Sequence, residues 1–331
     1  MKKFFGMLLV VCLLAACSST ESSLFRKAQR LTSKGEYSQA ISVYSSILKK
    51  NPQSYAAYAG RGLLYEQLKA KDSKELTQYK QLAKKDYERA LALNGKQPEI
   101  LNNLSALYID EGNYEEAVLY LNRALHLRPD YVLALLNRAV ARTKQGRYSE
   151  ALSDFYQVEQ LEPYSSLLYL NRGLLEYAAG YYNSAIDDFT ALIGLQADNA
   201  RAYMERGRTF IKMGYFQDAM EDFQKALALK PNYAMPYFYM AELLFNQGET
   251  DQGLFYAQRM VNLAPAYAPA YEMLGDMNAL ESPVEATRYY LTARKLDPKN
   301  ARQYQGKIRM MKSENTRKRV VFDRFANLDK K

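Results

Sequence analysis

Proline recurs in this chain at a fixed interval. Pro129, Pro163, Pro231 and Pro265 stand on a period of 34 residues, with Ala197 in the one gap, and the prolines close similar endings: ALHLRP, VEQLEP, ALALKP and MVNLAP. A period of this length marks a repeat architecture, in which one supersecondary unit is stacked because it cannot bury its apolar face alone. The register extends both ways. Gly95 stands 34 before Pro129, and Pro52 stands 43 before Gly95, so one unit carries about nine extra residues near 69–77. Downstream, Pro298 follows Pro265 by 33.

Eight units aligned on this mark share a column of small residues: Ala28, Gly62, Ser105, Ala139, Gly173, Gly207, Ala241 and Gly275. About twelve places on, a second column is also small throughout, from Ala40 and Ala83 to Gly253 and Ala286. Two such columns predict two helices in close contact. The turn between them is marked by Gly35, Gly112, Gly146 and Gly180, residues that tolerate the positive φ of a helix C-cap. Each unit therefore reads as a helical hairpin.

At this point the chain resembles the tetratricopeptide repeat family. In LYLNRGLLEYAAGYYNSAIDDFTALIGLQA the matching residues are Tyr169, Gly173, Ala185 and Phe189, with Arg172 in place of the usual Leu and Ala197 in place of the Pro. The third unit matches through Leu101, Leu104, Tyr108, Ala117, Leu121 and Pro129. The resemblance implies an all-α, right-handed superhelical solenoid of about eight helix-turn-helix units over residues 24–300, with a concave groove formed by the first helices. Residues 301–331 are expected to give a capping helix and a basic tail.

The repeats also allow columns to be compared within one chain. Arg61, Arg138, Arg172 and Arg206 share a column, and the matching second-helix column holds Asp86, Asp154, Asp188 and Asp222. The third, seventh and eighth units carry Leu104, Met240 and Leu274 in the first column and Tyr120, Tyr256 and Tyr289 in the second. The first unit, with Lys27 and Val43, follows neither rule. Covariation of this kind predicts structural ion pairs inside the hairpin, exchangeable for an apolar–aromatic contact. The competing reading is an arginine row that recognises an acidic partner.

The neighbouring column is Asn103, Asn137 and Asn171, continued by Glu205 and Tyr239. An asparagine ladder could grip the backbone of an extended peptide, or bond to the preceding repeat. Beside it, Leu136, Val140, Leu170, Leu174 and Phe238 form an apolar stripe with Arg201 and Arg208 at its margin. Exposed, that stripe is a partner groove; buried, it is core. The groove is the favoured reading.

The chain opens MKKFFGMLLVVCLLAACSST, where Lys2 and Lys3 precede an apolar run too short to span a bilayer. Leu-Ala-Ala-Cys resembles the bacterial lipobox, which implies a signal peptide over 1–16 and lipid (palmitate among its acyl chains) on Cys17, with 17–23 as a polar tether. Ser18 in place of an aspartate implies the outer membrane, facing the periplasm. With Cys12 in the signal peptide and Cys17 lipidated, no pair is left for a disulfide, and a chain of 331 residues that is 48% hydrophobic has ample core material. The formal charge is +9; residues 301–331 carry ten Lys and Arg against Glu314, Asp323 and Asp329, so the basicity belongs to the tail.

An enzyme is not expected. His126 is the one histidine, and neither metal-ligand spacing nor a phosphate loop is present, so no metal and no cofactor are predicted. The expected function is a lipid-anchored envelope scaffold or adaptor that binds protein partners in the groove and recruits them to a secretion, pilus, outer-membrane or protease complex. The alternative is direct binding of an anionic envelope component such as peptidoglycan or lipid through the basic tail and tyrosine-rich surface. Export makes nucleic acid an unexpected partner.

Overall fold

The computed structural model describes residues 19–313, 316–318 and 320. Among them the chain forms helices, arranged as eight consecutive hairpins and a final helix. The first four hairpins pair α1 (Ser19–Ser33) with α2 (Tyr37–Lys50), α3 (Tyr55–Gln67) with α4 (Ser73–Leu93), α5 (Pro98–Glu111) with α6 (Tyr114–Leu127), and α7 (Val132–Lys144) with α8 (Tyr148–Leu161). The other four pair α9 (Ser166–Ala179) with α10 (Tyr182–Leu195), α11 (Ala200–Met213) with α12 (Phe216–Leu229), α13 (Ala234–Asn246) with α14 (Thr250–Leu263), and α15 (Ala268–Asn278) with α16 (Pro283–Leu296). Helix α17 (Ala301–Met310) follows and lies against α16. The residues group into two compact units, one up to Leu168 and one from Tyr169.

The small columns do what their spacing predicts. A Cβ placed on Gly173 would stand 2.8 Å from the ring of Phe189, and one on Gly207 would stand 2.8 Å from the ring of Phe223. Each glycine thus seats a fully buried ring from the second helix. At the turns, Gly112 (φ 80°) and Gly214 (φ 79°) take the left-handed conformation that lets the chain reverse after α5 and α11.

Apolar burial runs from hairpin to hairpin. Leu170, Ala185, Phe189 and Leu192 of the fifth pack with Ala202 of the sixth, and Met204, Ala219 and Phe223 of the sixth pack with Met240 of the seventh. One hairpin alone would leave this surface wet, so neighbouring hairpins stabilise each other.

One boundary differs from expectation. Helix α1 begins at Ser19, five residues before Leu24, so most of the expected tether belongs to the first hairpin; Glu21 sits in the first turn and accepts from Asn51 Nδ2 at 3.3 Å. The extra residues near 69–77 lengthen α4 to 21 residues, with Asp72 accepting from the Glu75 N–H as N-cap. The predicted signal peptide 1–16, Cys17 and the tail from residue 321 lie outside the described residues. No described helix is long and apolar enough to cross a membrane.

Candidate functional site

The arginine column points into the hairpins. Arg61 donates through Nε and Nη2 to both oxygens of Asp86 at 2.8 Å, and Arg172 meets Asp188 in the same forked way, also at 2.8 Å. Arg206 and Asp222 meet at 2.9 Å, and Arg138 and Asp154 at 3.1 and 2.6 Å. Planar two-point pairing is what a guanidinium gives and a lysine cannot. The third nitrogen does more. Nη1 of Arg61, Arg138 and Arg206 donates to Ser45, Asn122 and Thr190 at 3.0, 2.8 and 3.0 Å. Each acceptor lies on the second helix of the preceding hairpin, so one side chain fastens three helices.

Burial explains why the pair can be exchanged. Desolvation pushes the Asp222 carboxyl above its ordinary range even though Arg206 pulls it down, so attraction does not fully offset the loss of water. An apolar pair of similar bulk is then an adequate substitute, and Met240 with Tyr256 provides one. The fourth and fifth hairpins elaborate the theme. Asp154, 1% exposed, receives a second guanidinium from Arg142 at 2.6 Å. In the fifth, Glu176 shares a hydrogen bond with Asp188, and burial together with that carboxylate raises Glu176 to about 8.

The asparagine column is partly consumed by the protein itself. Asn137 Nδ2 donates to Oδ1 of Asn102 in the preceding hairpin at 2.9 Å, and Asn102 in turn donates to Asn103 at 3.4 Å. Asn103 also bonds the Tyr87 hydroxyl, which donates to Glu66 at 2.7 Å. This network crosses three hairpins. Asn103, Asn137 and Asn171 are all half-buried, and each keeps an edge towards solvent.

The apolar stripe needs correction. Leu136 is 4% exposed and Leu170 6%, so neither is available to a partner. Leu170 is covered by the cluster that contains Ala202, because the next hairpin closes over the face that its spacing would have left open. Val140, Leu174 and Phe238 are half-buried at the margin. What the second unit displays instead is a charged and aromatic cluster. Glu205, 4% exposed, lies 3.6 Å from Arg201 and 3.2 Å from Arg208. Arg208 stacks on Tyr177 at 3.9 Å and hydrogen-bonds Tyr239, which lies face-on to Phe223 at 5.7 Å. Two guanidiniums on one carboxylate leave one positive charge in excess. Burial raises the phenols of Tyr177 and Tyr239 and pushes Tyr233 up to about 12, so all three remain neutral donors at physiological pH.

Sequence reasoning missed Lys307. From α17 it donates to Asp276 at 2.7 and 2.9 Å and pairs with Glu272 at 2.7 Å, while Tyr290 donates to the same buried Asp276 at 2.8 Å. The signal was present: Lys307 stands 33 after Leu274, in the arginine column of a ninth, incomplete unit. Its place sixteen earlier is Leu291, which offers no acceptor, so the ammonium turns to the acids of α15. Among the described residues no group of His, Cys, Asp or Glu is placed to hold a metal ion.

Comparison with known proteins follows the same lines. Family models described as tetratricopeptide repeat match residues 25–75, 80–132 and 102–166, and 200–233. Tetratricopeptide repeat protein 6 of Homo sapiens is 28% identical over 137 residues, 34% of this chain and 26% of that protein, so the match spans about a quarter of this curated relative. Among solved structures, a repeat protein from Parabacteroides merdae superposes with a TM-score of 0.64 at 22% identity, covering 78% of this chain and 98% of the other. PilW, a widely conserved type IV pilus biogenesis factor, superposes with a TM-score of 0.57 at 20% identity, covering 65% and 96%. At these identities the two structures share a fold with this chain.

Proposed function

Because this chain belongs to the tetratricopeptide repeat family, we propose that it is a protein-interaction scaffold, held by lipid at Cys17 on the periplasmic side of a bacterial outer membrane, where it gathers partners into an envelope assembly. The anchoring rests on the order of charge, apolar run, small residues and cysteine at the N-terminus. The likeness to PilW makes pilus biogenesis one such assembly to test first, although it carries the fold alone.

The observation that carries the binding role is the Arg201–Glu205–Arg208 cluster. An excess guanidinium charge on the sixth hairpin, flanked by neutral tyrosine hydroxyls from the fifth and the seventh, suits an extended protein segment bearing a carboxylate. The buried Glu205 holds both arginines in place beforehand, which lowers the ordering cost of binding. The experiment is in-cell photo-crosslinking from position 212, exposed on α11 one turn past Arg208, with the exposed position 225 of α12 as control. A defined partner captured from 212, lost in Arg208→Gln and absent from 225, supports the reading. Equal capture from both positions sinks it. Anchoring is tested apart, by incorporation of labelled palmitate into the chain and its loss in Cys17→Ala.

A further inference from the structure

The arginine staple has a second effect: it closes the space between consecutive second helices. Arg138 closes that space beside α6 by reaching Asn122, and Arg206 closes it between α10 and α12 by reaching Thr190. Leu104, Met240 and Leu274 have no nitrogen to send, and grooves lie at the corresponding places. One of about 640 Å³ runs between α12 and α14 over Met240 and Tyr256. Another of about 480 Å³ runs between α14 and α16 over Leu274 and Tyr289. A third, of about 320 Å³, lies beside α6 and Gly95. Gln224 and Gln258, which occupy the acceptor column filled elsewhere by Asn122 and Thr190, line the two larger grooves without a staple to receive.

Helix α14 therefore has an open groove on each flank, with a ridge between them formed by Phe255 and Arg259. Phe255 is 57% exposed, a large apolar cost for a surface ring. Arg259 is exposed and stacks over that ring at 5.6 Å, and among the described residues it meets no carboxylate. The same ridge recurs four repeats earlier as Leu119 and Arg123 on α6, where Arg123 stacks over Tyr120 at 5.5 Å. There Arg138 has closed one flank, so α6 offers half of what α14 offers.

We propose that the outer side of α14 docks an acidic amphipathic helix of a partner protein. Two of its apolar side chains enter the two grooves and a carboxylate between them pairs with Arg259. The spacing follows from helix geometry. A helix with its side chains is about 10–12 Å across, which sets the separation of the grooves on the two flanks of α14, and residues seven apart on a helix are separated by about 10.5 Å along its axis. Apolar residues seven apart therefore straddle α14, and the residue three or four along lies above the guanidinium. This surface is separate from the Arg201–Glu205–Arg208 cluster, so it stands or falls independently of that site.

The probe is a fluorescein-labelled helical peptide of about 18 residues, built on alanine and glutamine, with two leucines seven apart and two glutamates midway. Fluorescence anisotropy with the purified full chain should show saturable binding. Met240→Arg with Tyr256→Asp rebuilds the staple, using Gln224 as acceptor, and should weaken binding by about tenfold or more without lowering the melting temperature. Should that variant misfold, Phe255→Ala at an exposed position replaces it. Arg259→Glu should weaken binding to the same degree and prefer a peptide whose glutamates are replaced by lysine. Absence of saturable binding at about 1 mM peptide, or equal affinity in Arg259→Glu, overturns the proposal. Binding that emerges only after residues 321–331 are deleted overturns it too, by making the chain's own C-terminus the occupant.

Discussion

Arg206 Nη1 lies 3.0 Å from Thr190 Oγ1, and this bond joins the sixth hairpin to the second helix of the fifth while the rest of the same guanidinium holds Asp222. One residue therefore sets two geometries: the closure of its own hairpin and the register of that hairpin against the preceding one. Removing it does unequal damage to the two. The bond to Thr190 is between an ion and a hydroxyl near the surface, whereas Asp222 is 5% exposed and would be left buried without its counter-charge.

Arg206→Leu should cost on the order of 3–5 kcal/mol, because breaking one side of a buried pair strands the other. Arg206→Leu combined with Asp222→Tyr should recover most of that loss, since Met240 with Tyr256 already fills the same two places in the next hairpin. Urea unfolding of the two single variants and the double variant gives the coupling directly. Additive losses would show that the columns do not compensate.

Glu176 gives the fold a pH dependence. Its carboxyl titrates near 8 in the folded protein against 4.5 as its ordinary value, so between those values the folded state keeps a proton that the unfolded state has released. Stability should therefore fall as pH rises from about 5 to 8. Glu176→Gln keeps the hydrogen-bonding shape without the titration and should flatten that stretch of the curve. Urea midpoints at pH 5, 7 and 9 measure both, and an unchanged slope in the glutamine variant would assign the dependence elsewhere.

Leu170→Glu should act on stability first. The side chain is packed among Phe189, Leu192 and Ala202, and a carboxylate there has no partner. A loss of about 3 kcal/mol or more is expected, seen as a lower melting temperature. An unchanged melting temperature would return Leu170 to the groove.

Lys307→Met should release the C-terminal end. Asp276 is 1% exposed and takes two short contacts from that ammonium. Amide exchange in α15 through α17 should rise well above that in α11 and α12, since distant hairpins are coupled only through their neighbours. Uniform protection across the chain would contradict the capping role.

Much of the molecule could be read in the sequence because a repeat makes columns visible. A small residue at Gly173 and a ring at Phe189 declare a close crossing, and Arg172 with Asp188 declares a pair, because both are contacts within one hairpin at fixed spacing. The pattern could not show what the neighbouring hairpin covers. Leu170 and Leu174 lie one turn apart on the same helix, yet Leu170 is buried within a cluster that includes Ala202 of the next hairpin, while Leu174 packs against that cluster and stays half-open. Arg201 and Arg208 divide the same way: Glu205, four after one and three before the other on a single helix, is legible as their partner, whereas the contacts of Arg208 with Tyr177 and Tyr239 come from neighbouring hairpins.

The sequence alone determined the period, the hairpin, the turns and the partners inside each hairpin, because these depend on local spacing and on which side chains can share a helix face. Tertiary structure decided how consecutive hairpins meet: that the staple reaches Ser45, Asn122 and Thr190, that Asn137 bonds to Asn102, and that grooves open beside α14 where the arginine is missing. Those are contacts between units, set by the distance and rotation from one helix pair to the next. Residue identity along one repeat does not encode that geometry.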